Sequence, residues 1–265
     1  MNVLITGAAS GMGAEAARIF TGHGHSVYSV DARYVLERER FTPFTADIRD
    51  EDALTAISSA LAGTQLDAII CCAGIHDMMS FVETDLSRFK TLMDIDLMGT
   101  ANAVKAFYPL LKADGRVIIV TSEVAYLDPM PFNGGYSVAK TALECYAQAL
   151  RQELNLLNHM VITLRFGAVD TPLSRGATDK TALLADETHL YRRQAASFVR
   201  IAKRFMGTPL APEKAAAVIY KAATAPHPRL IYKKHRNIGL VLMNLMPKRA
   251  QLWLIKTLLN QEDKV

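Results

Sequence analysis

Eight residues near the start of the chain, Thr6-Gly7-Ala8-Ala9-Ser10-Gly11-Met12-Gly13, join a short apolar run to a helix-length stretch. Glycines at these positions have distinct uses. Gly7 permits a tight turn, Gly11 lets backbone approach a pyrophosphate, and Gly13 lets the helix pack closely on the strand before it. The helix then offers unpaired N–H groups and the positive end of its dipole to phosphate. A strand before and a helix after supply the context that a dinucleotide-binding turn requires. Asp31 closes the next apolar run, 18 residues beyond Gly13. An acid there accepts hydrogen bonds from the adenosine ribose hydroxyls and repels a 2′-phosphate, which favours NAD(H) over NADP(H). Arg33 leaves two readings open: a partial counter-charge for such a phosphate, or a solvated loop arginine.

The elements that must position these residues follow from the alternation of apolar runs with amphipathic stretches. Strands are expected at Asn2–Thr6, Ser26–Asp31, Phe41–Thr45, Ala68–Cys72, Arg116–Thr121 and Met160–Arg165, with a seventh at Arg229–Tyr232. Helices are expected at Gly13–His23, Glu51–Leu61, Asp85–Tyr108, Tyr136–Leu156 and Pro212–Ala223. This order predicts an α/β fold: one doubly wound, Rossmann-type parallel sheet of about seven strands, with helices on both faces. Such sheets bind ligands at the carboxyl ends of their strands. No Pro/Gly/Ser-rich linker divides the 265 residues, so 1–265 reads as a single domain.

Composition narrows the classes further. Half of the residues are hydrophobic and 21% are charged, which excludes disordered, collagenous and disulfide-scaffold chains. The net charge of +4 is too small to suggest a nucleic-acid partner, but it is unevenly spread. Residues 233–265 carry seven basic and two acidic side chains, so the tail is +5 and the rest of the chain is close to neutral. Three cysteines (Cys71, Cys72 and Cys145) lack ligand-like spacing, which argues against zinc or any other metal and suits a reducing, cytoplasmic compartment. No signal peptide fits ahead of Val3. The apolar stretch Ile238–Met246 is about half of what a spanning helix needs, so no transmembrane span is expected.

The spacing Thr-Gly-x-x-x-Gly-x-Gly resembles that of the short-chain dehydrogenase/reductase family. The family also carries a Tyr-x-x-x-Lys pair, and this chain has two of them, Tyr108/Lys112 and Tyr136/Lys140. The first precedes the fifth strand and lies at the wrong end of the sheet. The second follows that strand and opens a long helix, with Lys140 one turn along on the same face, and Ser122 ends the strand before it. The resemblance implies a nucleotide held by Thr6, Gly7, Ser10, Gly11, Met12, Gly13, Asp31, Ala32, Asp47, Ile48, Cys72, Ala73, Gly74, Val169 and Thr171, together with Tyr136 and Lys140. It also implies catalysis by Ser122, Tyr136, Lys140 and Asp96. A free tyrosine, with a pKa of about 10, gives up its proton too reluctantly at neutral pH, and the Lys140 charge favours the phenolate. Ser122 would orient the substrate oxygen while Tyr136 exchanges its proton.

Several positions depart from the family pattern. Asp96 stands where an asparagine usually supports a water-mediated proton relay. Either it holds that water, at the cost of raising the lysine, or it serves only to stabilise a helix kink. Cys71-Cys72 replaces two asparagines and reads as small packing residues. Phe166 replaces a proline. The interval from Ser122 to Tyr136 is one residue longer than usual, which a longer loop around 129–135 would absorb.

Residues 173–210 correspond to a substrate lid in the family. Their apolar positions (Leu183, Leu184, Leu190, Phe198, Ile201, Phe205, Met206) and basic ones (Arg192, Arg193, Arg200, Lys203, Arg204) suit an amphipathic cover or an apolar pocket with a cationic rim. Pro129–Tyr136, His227–Tyr232 and the apolar tail resemble the steroid and retinol dehydrogenase branch. The implied activity is NAD(H)-dependent interconversion of a lipophilic secondary alcohol and its ketone, in a homodimer or homotetramer built on helices 85–108 and 136–156. A dinucleotide-binding sensor with little catalysis is the alternative. The tail would cap the pocket, pack on another subunit, or rest peripherally on an anionic membrane.

Overall fold

Along the first strand, β1 (Asn2–Thr6), Val3 and Ile5 face one side of a sheet and Leu4 the other, and all three are fully buried. Both faces must therefore be covered, and in the computed structural model they are. The structure describes residues 1–205 and 207–260, without the side chains of 176–182 and 203–205. On one face α1 (Gly11–Gly22) and α8 (Pro212–Thr224) pack Ala16, Phe20 and Ile219 against Val3, Ile5 and Ile118. On the other, α2 (Glu51–Ala60), α4 (Thr100–Phe107) and α5 (Gly134–Asn155) pack Leu54, Phe107 and Leu143 against Leu4, Ile69 and Val117.

The remaining strands are β2 (Ser26–Asp31), β3 (Phe41–Thr45), β4 (Leu66–Cys71), β5 (Leu111–Ser122), β6 (Met160–Phe166) and β7 (Ile231–Lys234). They form one seven-stranded sheet in the order β3-β2-β1-β4-β5-β6-β7, with every neighbouring pair parallel. The fold is thus the Rossmann-type sheet expected from the sequence. Its order reverses between β1 and β4, which opens a crevice beyond their carboxyl ends.

Several expectations need correction, among them the start of β5, which pairs with β4 from Leu111 rather than from Arg116 and so takes in Lys112. The helix expected over 85–108 is broken: α3 (Leu86–Leu92) runs into a π-helical segment, Met93–Gly99, before α4 resumes and a 3-10 turn at Tyr108–Leu110 ends it. The wider turn carries Asp96 inward, where one carboxylate oxygen accepts from the Ile75 N–H at 2.7 Å. β7 lies two residues later than expected, because Thr163 to Phe166 of β6 pair with Ile231 to Lys234. The tail, which the apolar periodicity left unassigned, forms α9 (Ile238–Asn244) and α10 (Lys248–Leu259).

The lid region comprises α6 (Pro172–Glu187) and α7 (Arg192–Phe205). Leu184, Ala195 and Phe198 form a separate apolar cluster with Met78, Phe132 and Leu259 of α10. The cluster therefore joins lid, tail and the loop ahead of α5. Of the lid positions named above, Met206 and the side chains of Lys203, Arg204 and Phe205 lie outside the described residues, as do Glu262, Asp263 and Lys264 among the charges counted in the tail. Among the described residues, no helix is long and apolar enough to cross a membrane.

Candidate active site

A groove of ≈ 450 Å³ opens at the β1/β4 crevice. Of the residues expected to hold a nucleotide, Gly7, Ser10, Gly11, Met12, Gly13, Asp31, Ala32, Asp47, Ile48, Cys72, Ala73, Gly74 and Thr171 line it. Thr6, Val169, Tyr136 and Lys140 do not. Thr6 is buried beneath the groove, where its hydroxyl accepts from the Ala73 N–H at 3.3 Å, and Val169 bridges to Leu210.

Local geometry explains the glycines. Gly7 has φ +75°, and a Cβ there would meet the Ala73 nitrogen at 2.6 Å; a Cβ on Gly13 would meet the Gly7 carbonyl oxygen at 2.3 Å. Ser10, at the start of α1, makes no side-chain cap, and the first turn carries no acid. The leading N–H groups of α1 consequently face the groove without an internal acceptor of that kind. At the far end, the Asp31 carboxylate accepts from the Ala9 N–H at 3.0 Å and the Arg33 N–H at 2.9 Å. The Arg33 guanidinium bends back over the groove to donate to the Ser10 hydroxyl at 2.7 Å, although its side chain stays 60% exposed.

A second group of side chains stands beside the groove, behind Gly74 and His76 of its wall. β5 delivers Ser122, α5 delivers Tyr136 and Lys140, and the π-helical segment delivers Asp96. The Lys140 ammonium sits 3.0 Å from the Asp96 carboxylate and 5.6 Å from the centre of the Tyr136 ring. The Ser122 hydroxyl accepts from the Val124 N–H at the end of β5 and acts on the Tyr136 phenol in the direction that favours phenolate. Gly74 joins the two groups: a Cβ there would lie 3.1 Å from an Asp96 oxygen and 3.2 Å from the Lys140 nitrogen. Tyr108 and Lys112 are elsewhere, with Lys112 paired to Asp67 at the amino end of β4.

Burial pushes the Tyr136 phenol up. The Lys140 charge and the Ser122 hydroxyl oppose that rise, while Asp96 and Glu123 add to it. Desolvation alone would lower Lys140, but Asp96, with Tyr136 and Cys72, holds it above the ordinary lysine value. Asp96 thus lies within the helix irregularity and against the lysine. Burial pushes Cys71 up to about 12 and raises Cys72 as well, so neither thiol is poised for redox chemistry.

Sequence reading missed His76. Its ring lies 4.4 Å from that of Tyr136, and its Nε2 lies 3.0 Å from the Asn133 side-chain oxygen. A histidine four residues past a strand gave no signal of its own. The longer loop before Tyr136 turns through Phe132 at φ 65°, which sends that ring into the lid cluster. The Phe166 replacement ends β6 as a buried strand residue, and beside it a Cβ on Gly167 would collide with the His235 carbonyl at 1.8 Å. The tail therefore crosses directly over the end of β6.

A doubly wound parallel sheet with a glycine-walled groove at its switch point defines a Rossmann-type α/β protein. The sequence model described as short chain dehydrogenase matches residues 1–182, and the chain belongs to that oxidoreductase family. It is 30% identical over 192 residues to trans-4-hydroxycyclohexanecarboxylate dehydrogenase of Sinomonas cyclohexanicum, covering 65% of this chain and 74% of the relative. It is 26% identical over 190 residues to human 17-beta-hydroxysteroid dehydrogenase type 1, covering 70% of this chain and 58% of the relative. Other curated relatives are spanned over about half of their length. A short-chain dehydrogenase from Burkholderia cenocepacia, solved with NADP, superposes with a TM-score of 0.74 at 21% identity, over 96% of this chain and 95% of that one.

Proposed function

We propose that the protein is an NAD(H)-dependent oxidoreductase that interconverts a lipophilic secondary alcohol and its ketone. The observation that carries this reading is the grouping of Ser122, Tyr136 and Lys140 directly behind Gly74 and His76 of the groove wall.

The groove fits a dinucleotide by its own geometry: glycines where a Cβ would fill the cradle, a helix start with no side-chain cap, and a carboxylate at the far end. Gly11, Gly13 and the first turn of α1 would hold the pyrophosphate, Asp31 the adenosine ribose, Asp47 and Ile48 the adenine, and Lys140 the nicotinamide ribose. When bound, the nicotinamide supplies the hydride acceptor or donor. Ser122 orients the substrate oxygen by a hydrogen bond. Tyr136 takes the hydroxyl proton as the alcohol is oxidised and returns it to the carbonyl oxygen in the reverse direction. Lys140 keeps positive charge beside the phenol, and Asp96 holds Lys140 in place.

Asp31 supports NAD(H), and Arg33 above Ser10 is the feature through which NADP(H) would gain a foothold. The apolar cluster of lid, loop and tail supports a lipophilic substrate. Relatives named for a hydroxycyclohexanecarboxylate and for 17β-hydroxysteroids agree with a ring-borne hydroxyl. The test is a panel of steroids, retinoids and cyclic alcohols followed at the NADH absorbance, with Tyr136→Phe alongside. Turnover that falls about a hundredfold or more in the variant, with NADH binding retained, is expected. A wild type that binds NADH tightly but turns over nothing in the panel would favour a dinucleotide-binding sensor instead.

A further inference from the structure

The two carboxy-terminal helices have unlike faces. The inner side of α10 is anchored, with Gln251 and Leu259 buried; Gln251 donates to Asp128 at 3.0 Å and Leu259 enters the lid cluster. On the outer side, Leu252 and Trp253 are 65% and 66% exposed. On α9, Ile238, Leu242 and Leu245 recur at the spacing of one helical face and are 72%, 60% and 76% exposed. Exposed apolar side chains this large and this close in sequence mark an interaction surface.

Charge identifies its partner. Residues 233–260 contain six lysines and arginines and no aspartate or glutamate. Arg249 and Lys256 stand exposed on the helical face of Leu252 and Trp253, and Lys234 is exposed as well. A second copy of the chain docked here about a two-fold axis would set this acid-free segment against itself, and like charges would oppose the contact. Neither helix, at 7 and 12 residues, is long enough to span a bilayer.

We propose that the outer face of α9 and α10 binds an anionic lipid surface, its leucines, isoleucine and tryptophan entering the headgroup boundary and its lysines and arginines meeting lipid phosphates and carboxylates. Lys248 is paired to Asp128, but apolar side chains beside exposed cations such as Arg249 and Lys256 are the pattern of helices that lie in that plane, and tryptophan favours the same depth. The inner face of α10 meanwhile closes the lid cluster, so lipid contact and the cover of the candidate site share one element. The proposal stands on the tail alone and does not depend on the identity of the substrate.

Trp253 is the only tryptophan in the chain, so its fluorescence reports the contact directly. The full-length protein is titrated with vesicles of phosphatidylcholine and phosphatidylserine in equal parts, and with phosphatidylcholine alone. A blue shift and vesicle co-flotation with the anionic mixture are expected, weakening at high salt and nearly absent with the neutral lipid. Co-flotation should fall about tenfold in Leu242→Ser/Trp253→Ser and in Arg249→Gln/Lys256→Gln. Circular dichroism and thermal melting check that both variants keep their fold. An unchanged spectrum with anionic vesicles overturns the proposal. So does binding that ignores lipid charge and salt, or a dimer in light scattering that depends on Leu242 and Trp253 and forms without lipid.

Discussion

Asp96 and Lys140 form a buried ion pair at 3.0 Å, the acid side chain fully enclosed and the lysine side chain 7% exposed. Because the other Asp96 oxygen accepts from the Ile75 N–H at the rim of the groove, the pair ties the long helix α5 to the floor on which a nucleotide would lie. It is also the point at which this chain departs most clearly from its family's usual chemistry.

Asp96→Asn removes a charge that holds up both Lys140 and Tyr136. Alcohol oxidation requires the phenolate, so its rising limb in kcat/KM should move to lower pH. A pH–rate profile of the two proteins decides this, and a limb that stays in place or moves upward contradicts the coupling. The sign for stability is also fixed. Lys140 is raised on folding, so the pair's contribution is fully present below the ordinary lysine pKa and fades as pH rises through the folded value. The gap in urea midpoint between wild type and variant should therefore narrow in strong alkali.

Gly13→Ala places a methyl group 2.3 Å from a backbone oxygen that has nowhere to go. The expected cost is about 2 kcal/mol of stability, together with loss of NADH binding as α1 is pushed from β1. Thermal melting and NADH fluorescence measure the two effects. Gly24→Ala, where the added carbon meets nothing but φ is +78°, serves as a control that loses stability without losing the nucleotide.

Asp31→Ala should invert cofactor preference. Its carboxylate now receives the Arg33 and Ala9 N–H groups, and without it the guanidinium above Ser10 is left facing the position of a 2′-phosphate. KM for NADP should fall about tenfold while that for NAD rises. Adding Arg33→Ala should cancel the gain for NADP, and a double variant that still prefers NADP would show that another residue reads the phosphate.

Thiol reactivity should be concentrated at one site. Cys71 and Cys72 are held in their neutral forms by burial, whereas Cys145 is exposed on α5. Iodoacetamide at mildly alkaline pH should label Cys145 quickly, the half-buried Cys72 of the groove wall far more slowly, and Cys71 only once the protein unfolds. Peptide mapping by mass spectrometry reads the outcome, and fast labelling of Cys72 would mean that the groove wall opens.

Much of the groove was legible in sequence because its residues are local. Gly7, Gly11 and Gly13 act within one turn, and Asp31 ends the adjacent strand, so spacing alone placed them. The five inner strands were legible for a related reason: a sheet covered on both faces demands uninterrupted apolar runs. Tyr136 could be told from Tyr108 by which end of a strand each must occupy. The edge strand β7 and the tail helices were harder, since partial exposure weakens the period on which such reading depends.

Sequence by itself thus determined the order of elements and the glycine turn after β1, set by backbone requirements and spacing along the chain, while the tyrosine–lysine pair was legible through resemblance to the family. Tertiary structure alone decided the relations between distant segments. It turned Asp96 inward through a π-helical segment onto Lys140, laid His76 against Tyr136, and folded the tail over β6 so that one side of α10 closes the lid cluster while the other faces outward. Contacts of that kind depend on which surfaces burial brings together, and no periodicity along a single segment encodes the partner it will meet.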